Sequence, residues 1–373
     1  MGLVILGEDP RKSDAMNIFI TGICGFAGYT LARGLQACEW VTRIRGVDNL
    51  CRNGSEVHLP LLRESGIEVD VEDIRNEDYF RNLEPADWVI DAAAQPSVLA
   101  GVDGQTSSLE LVQHNLYGTI NILEYCKRCG GGFTLLSTSR VYGLAPLESI
   151  TVEVEGDGYQ PAGEFPEGFS GAGIREGFST APPVSLYGAT KVASERMALE
   201  YGEAFSFPVW INRCGVLAGA RQFGHPTQGI FSFWLHSWRN KRPLKYIGFD
   251  GLGHQVRDCL HPLDLIPVLE KQIRGRVGDG APRISNFSGG AANAYSLKRL
   301  SSWCERRWGA HEVGSEPANR KYDLPWIVLD SSQAEAIWGF RVQRPIESIL
   351  EEIAAFADAN PQWLDLSLGK QAG

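Results

Sequence analysis

The segment that most restricts what this chain can fold into lies near its start. The apolar run Asn17–Thr21 leads directly into Thr21-Gly22-Ile23-Cys24-Gly25-Phe26-Ala27-Gly28, and an amphipathic helical pattern over Phe26–Ala37 follows. A strand that turns on glycines into a helix is the opening of a βαβ unit whose turn faces an anion. Gly22 permits the tight turn and Gly25 lets the backbone approach a pyrophosphate. Gly28 lets the helix pack closely on the sheet, while the first helical amides, those of Phe26 and Ala27 among them, point at the ligand. The same rhythm continues. Strands are expected at Val41–Asp48, Ile67–Val71, Trp88–Ala92, Phe133–Ser137 and Pro208–Arg213. Helices are expected at Glu77–Leu83, Leu109–Cys126 and Tyr187–Tyr201. Alternation of this kind predicts an α/β fold, a doubly wound parallel sheet of the Rossmann type. The predicted dinucleotide-binding domain covers 16–213. Residues 214–373, more irregular, form a smaller mixed α/β region for substrate, interlocked with the first and set over the carboxyl ends of the strands. Leu144–Val184, rich in Gly, Pro and Glu, breaks the period and reads as a lid or binding loop.

Composition narrows the function. With 373 residues, 43% hydrophobic and 21% charged, the chain can bury a large core. No apolar run approaches the roughly 20 residues of a membrane span, and a net charge of -10 argues against a nucleic-acid surface, which needs clustered Lys and Arg. Glu8, Asp9 and Pro10 interrupt the apolar start where a secretion signal would continue. The eight cysteines are scattered, which fits reduced thiols in a cytoplasmic protein. Cys126 and Cys129 form a CxxC without a second pair, inside a helical pattern, and read as two thiols on one helix rather than a metal site. No metal is expected.

The second strand ends in Asp48-Asn49, where a carboxylate accepts hydrogen bonds from the adenosine ribose and repels a 2′-phosphate, so NAD is favoured over NADP. Arg52 is the nearby cation that a 2′-phosphate would use. Asp73-Ile74 follows the third strand, and Ala93, Ala94 and Gln95 follow the fourth, where the small alanines leave room for adenine and ribose. Strand five ends in Ser137-Thr138-Ser139-Arg140-Val141-Tyr142-Gly143, and a later helix begins Tyr187-Gly188-Ala189-Thr190-Lys191. Four-residue spacing puts Tyr187 and Lys191 on one helical face. A nearby ammonium lowers the pKa of a tyrosine from about 10 toward that of a general base, and a strand-end hydroxyl can bond the same substrate oxygen.

The glycine turn, Asp48, Asp73-Ile74, Asn115, the set Thr138, Tyr187 and Lys191, and Gln255-Val256-Arg257-Asp258 together resemble the extended short-chain dehydrogenase/reductases that act on nucleotide sugars. Within that group, Asp48-Asn49-Leu50 with Arg52-Asn53-Gly54, Asp73-Ile74-Arg75-Asn76, Ser137-Thr138 before Val141-Tyr142-Gly143, and Arg221-Gln222-Phe223 with Gln228-Gly229 look most like the CDP-paratose/CDP-tyvelose 2-epimerases. The resemblance covers nearly the whole chain. It implies Thr138 as hydroxyl partner, Tyr187 as base and Lys191 as its electrostatic support, with Asn115 near the cofactor. It implies Arg257 and Arg320 as clamps on a substrate diphosphate, in keeping with the fit of guanidinium forks to phosphate oxygens, and Arg221 and Gln222 as pocket lining. It also implies a homodimer through the Leu109–Cys126 and Tyr187–Tyr201 helices, or a tetramer built from it. One departure bears on the reaction. The dehydratase branch carries Asp-Glu after the catalytic Thr, and the decarboxylase branch carries a Glu; here Ser139 and Arg140 stand there. Epimerisation, an isomerase reaction, is therefore the expected chemistry, at C2 of a CDP-sugar by the nearest resemblance. The alternatives are C4 epimerisation of a UDP-sugar, dehydration, and a non-catalytic nucleotide-sugar sensor.

Overall fold

The computed structural model describes residues 15–369 apart from 103, 105 and 276–279. Seven parallel strands form its centre: β1 (Met16–Thr21), β2 (Val41–Asp48), β3 (Glu68–Val71), β4 (Trp88–Asp91), β5 (Gly132–Thr138), β6 (Val209–Cys214) and β7 (Ile284–Phe287). Their order is β7-β6-β5-β4-β1-β2-β3, and every neighbouring pair is parallel. The six expected strands are present, with no end moved by more than one residue.

Period-two alternation divides each strand between two cores. Ile18, Ile20, Trp88, Ile90, Leu136 and Trp210 face one side, where helices Phe26–Gln36, Ile266–Ile273 and Ser332–Trp338 cover them. Phe19, Val89, Phe133, Leu135, Val209 and Ile211 face the other, against Gly118–Cys129 and Ser185–Phe205. With helices on both faces the sheet is doubly wound, as the sequence predicts. The expected Leu109–Cys126 helix is built in three parts: an α-turn Ser108–Val112, a π-turn Gln113–Tyr117 and the α-helix Gly118–Cys129. All eight cysteines, including Cys126 and Cys129, are unpaired thiols. Among the described residues no helix is long and apolar enough to cross a membrane, and no group of three His, Cys, Asp or Glu could hold a metal ion.

The sheet crosses the boundary expected at 213. β7 pairs with β6 in register from Ile211 with Ile284 to Cys214 with Phe287, so the later half of the chain returns to complete the first layer. The rest of that half packs around Trp234, Leu235, Trp238, Leu300, Ile349 and Ile353. It carries a three-stranded sheet in which Val256–Asp258 lies between Ala294–Ser296 and Trp326–Ile327. Leu144–Val184 is an ordered excursion: a short helix Leu144–Glu148, a hairpin of Val152–Glu155 with Gly158–Pro161, and a smaller one of Phe169–Ser170 with Gly173–Ile174. Its apolar residues Leu144, Ile150, Phe169 and Phe178 pack on Trp326, Val328 and Leu329.

Trp338 ties β7 to this frame. Its indole N–H donates to Ser285 Oγ at 3.0 Å, and its ring meets Trp210 edge-on at 4.9 Å. Trp338→Ala is expected to cost about 3–5 kcal/mol of unfolding free energy, the usual range for removing a buried aromatic, read from denaturant melts. A loss no larger than that of a surface substitution would show that β7 is not held this way.

Candidate active site

Parallel β1 and β4 lie side by side although they are not consecutive, and the chain leaves their carboxyl ends in opposite directions. That switch point is where such sheets bind ligands. Gly22 sits there with φ +62, its N–H bonded to Val47 O at 2.8 Å. A Cβ on it would lie 2.8 Å from Ala93 Cα, so the turn closes directly against the end of β4. A Cβ on Gly28 would overlap Gly22 O, which is why the helix can approach so near. Gly25 caps that helix, and a Cβ there would meet only Gly22 O, at 3.1 Å. Its open side is the approach that a pyrophosphate requires, above the unbonded amides of Phe26 and Ala27.

Asp48 is buried beneath this turn. Its carboxylate accepts from Cys24 N at 2.9 Å and Leu50 N at 2.8 Å. Burial pushes its pKa up, and these backbone donors draw it down. Arg52 turns away from it, donating to Gln228 Oε1 and to Phe223 O at 3.3 Å. Asp73 is held by Arg75 at 2.8 and 2.9 Å and by Asn49 Nδ2 at 3.0 Å, which keeps its carboxyl well below the usual range. Ile74 packs against Gly118, where a Cβ would strike it. Gln95 is held through its backbone: Asn115 Oδ1 accepts its N–H at 2.7 Å, and Asn115 Nδ2 donates to its carbonyl at 3.1 Å and to Thr190 Oγ1 at 3.2 Å. Asn115, in the π-turn, thus joins the loop after β4, carrying exposed Ala94, to the helix bearing Tyr187.

Thr138 closes β5 in register with Cys214 at the end of β6. Its Oγ1 accepts the N–H of Arg140 at 3.2 Å, leaving its own hydroxyl proton for another acceptor, and it lies close enough to the Tyr187 phenol to draw its pKa down. Tyr187 lies on the first turn of Ser185–Phe205. The next residue is Gly188, where a Cβ would overlap the carbonyl of Arg140, so the helix start sits hard against the turn after β5. Burial raises the Tyr187 pKa to about 12, against the lowering pull of Thr138 and of the Arg140 guanidinium, while Cys214 adds to the rise. Lys191 is buried too and has no hydrogen-bond partner among the described residues. Burial lowers its pKa, opposed by Asp91, Glu195 and Cys214. Asp91 is fixed between Thr21 Oγ1 at 2.6 Å and Thr119 Oγ1 at 3.0 Å.

Glu195 is a site residue that the sequence reading passed over. It lies one further turn along the face of Tyr187 and Lys191, a spacing that could have flagged it. It accepts Ser137 Oγ and makes a two-pronged pair with Arg213 of β6, at 2.6 and 3.0 Å. Arg213 reaches on to the Tyr142 hydroxyl, which donates to Asn286 of β7 at 2.6 Å.

Of the two arginines expected to clamp a diphosphate, Arg257 is held by Asp323 and by Leu324 O at 2.8 Å, and its charge also bears on Arg140. Arg320 donates to Pro226 O at 2.7 Å. Arg221 and Gln222 are not brought to this group. Arg221 lies over the rings of Tyr29 and Phe356, at 5.6 and 5.2 Å. Gln222 is buried in local contacts, donating to Leu217 O and accepting Trp363 Nε1 at its carbonyl.

Residues 18–283 match the model of the NAD dependent epimerase/dehydratase family. The chain belongs to that family. The match spans the glycine turn, Thr138, Tyr187, Lys191 and Arg257, and NAD is the cofactor of an enzyme of this family. A CDP-paratose 2-epimerase of Salmonella typhi is 27% identical over 306 residues, 78% of this chain and 85% of that protein. A probable UDP-glucuronate 4-epimerase of Rhizobium meliloti is 24% identical over 373 residues, 94% of this chain and 97% of its own. Among solved structures, a UDP-glucuronic acid 4-epimerase from Bacillus cereus in complex with UDP-glucuronic acid and NAD superposes with a TM-score of 0.73. It is 22% identical and covers 92% of this chain and 99% of that one. This likeness extends the fold of the family over nearly the whole chain.

The purified family member is expected to carry NAD rather than NADP, because Asp48 faces the cofactor turn while Arg52 is engaged elsewhere. Mass spectrometry of what the denatured protein releases checks this. Mainly NADP would overturn the reading of Asp48.

Proposed function

We propose that the protein inverts one ring carbon of a nucleotide diphospho-sugar, at C2 of a CDP-sugar as the first reading. The carrying observation is the pairing of an intact Thr138, Tyr187 and Lys191 with Ser139 and Arg140 where the sister branches have carboxylates. Elimination of water needs an acid and a base at those positions. Asp323, the carboxylate that bears on Arg140, is already paired with Arg257. The similarity to a CDP-paratose 2-epimerase supports the CDP-sugar reading. The likeness to proteins named UDP-glucuronate 4-epimerase favours the second reading, inversion at C4 of a UDP-sugar.

Gly22, Gly25, Gly28 and the first helical amides would hold the pyrophosphate of NAD; Asp48 with Asn49 would hold its ribose, and Asp73, Ile74 and Ala93–Gln95 its adenine side. Bound NAD supplies a reversible hydride acceptor for one sugar carbon. The chain supplies the proton chemistry. Tyr187 takes the proton of the sugar hydroxyl during oxidation and returns it during reduction. Thr138 bonds the same oxygen, and Lys191 adds positive charge behind the phenol. Arg257 and Arg320 hold the diphosphate, so the sugar can turn over between the two half-reactions without being lost. Two copies are proposed to pair through the helices bearing exposed Leu109, Val112, Leu186 and Phe205.

Tyr187→Phe is expected to lower kcat by about 10²- to 10⁴-fold, the range for losing a general acid/base. Bound NAD and the circular dichroism spectrum stay near wild type. The assay is a screen of CDP-, UDP-, GDP- and dTDP-sugars by product analysis. Near-normal turnover by the variant removes Tyr187 from the mechanism, and turnover of UDP-sugars alone replaces the first reading with the second.

A further inference from the structure

We infer that His58 is a positioning residue for the cofactor: its Nδ1–H holds the carbonyl of Cys24 and so fixes the peptide on which the glycine turn meets a pyrophosphate. This deepens the function proposed above, since it rests on the placement of NAD against Gly22, Gly25 and Gly28.

The segment that leaves β2 reaches the turn twice. Asp48 accepts the N–H of Cys24 at 2.9 Å. Further on, His58 opens the short helix His58–Glu64 and turns its ring back, so that Nδ1 lies 2.9 Å from Cys24 O. No backbone donor among the described residues reaches that carbonyl. A carbonyl only accepts, so Nδ1 carries the proton. At the other end of the same peptide, the N–H of Gly25 donates to Gly22 O at 3.0 Å. The Cys24–Gly25 peptide is therefore tied at both ends, and the free amides of Phe26 and Ala27 follow from a fixed plane. Without Nδ1–H the buried carbonyl has lost its donor, and one end of that peptide can tilt.

The ring that carries this donor is itself held. His58 is fully buried. Tyr29 of the first helix stacks on it at 4.2 Å and 21°, while Phe223 and Trp363 approach at 5.1 and 5.7 Å. Phe223 and Trp363 stack on each other at 5.2 Å. Nε2, in contrast, has no partner among the described residues. A second proton there would find no acceptor, and burial lowers the pKa of His58 to about 4, against the pull of the Cys24 carbonyl. His58 is thus a neutral donor rather than an ion. A residue that served packing alone would fill this cage better as phenylalanine, which buries no unmatched nitrogen. The nitrogen that is matched is the one aimed at the cofactor turn.

Three variants separate the donor from the ring. His58→Phe keeps a ring and loses the donor, His58→Leu loses both, and His58→Asn loses the ring but keeps an N–H near the place of Nδ1. Each purified holoenzyme is loaded with labelled NAD and chased with excess unlabelled NAD, and release is timed. His58→Phe and His58→Leu are expected to release NAD about 3- to 10-fold faster than wild type, and His58→Asn at close to the wild-type rate. Thermal unfolding at saturating NAD is expected to follow the ring instead, falling less in His58→Phe than in the other two. Wild-type release by His58→Phe and His58→Leu overturns the inference. So does release that follows thermal stability, with His58→Asn as fast as His58→Leu, because His58 is then a packing residue only. No sugar enters the measurement, so a wrong substrate leaves it unchanged. Asp48→Ala tests the placement of NAD: unchanged release there overturns both readings, whereas faster release there with unchanged release in His58→Phe overturns the role of His58 alone.

Discussion

Tyr187, Lys191 and Glu195 follow one another at four-residue spacing on a helix face buried against the sheet, and the rest of the site is arranged around the cost of burying them. An unpaired ion in such a place is expensive. Glu195 is answered by Arg213, reaching from β6 and tied through Tyr142 to β7. Lys191 is answered electrostatically by Asp91, which Thr21 and Thr119 hold in place. Each partner comes from a different strand, so satisfying one helix face fixes the relative positions of β1, β4, β5, β6 and β7. Tyr187 is left with a pKa that burial raises.

The same strand ends hold the cofactor turn, so redox and proton chemistry meet at one edge of the sheet. Gly22 abuts Ala93 at the switch point, and Asn115 ties the loop after β4 to the catalytic helix through Thr190. The proposed substrate would lie between the β5 turn and Arg257 and Arg320 of the later half of the chain. The excursion Leu144–Val184 closes the β5 side by packing on Trp326–Leu329.

Much of this was legible in the sequence because it is local. The glycine turn, the strand ends and the four-residue spacing are properties of contiguous residues, and the expected elements agree with those found to within a residue or two at most ends. What was not legible depends on distant parts meeting. β7 is four residues, Ile-Ser-Asn-Phe, too short to be told from a loop by its own pattern. Arg221, expected to line the pocket, instead lies over Tyr29 and Phe356, rings from the first helix and the penultimate one. Arg140 could be read only as a missing acid. That its carbonyl abuts Gly188, the residue after Tyr187, and that its guanidinium reaches Tyr322 needed the fold. The excursion 144–184 carries no sustained period because its hairpins are short and pack on a segment far along the chain.

The central claim is oxidation and reduction at C2 of the sugar, with its hydrogen never exposed to water. It is tested most directly with a CDP-sugar carrying deuterium at C2, turned over in ordinary water and read by mass spectrometry and nuclear magnetic resonance of the product. The account predicts inversion at C2 with the deuterium still on that carbon. Loss of the label to solvent, or retention at C2 with inversion at C4, would contradict it.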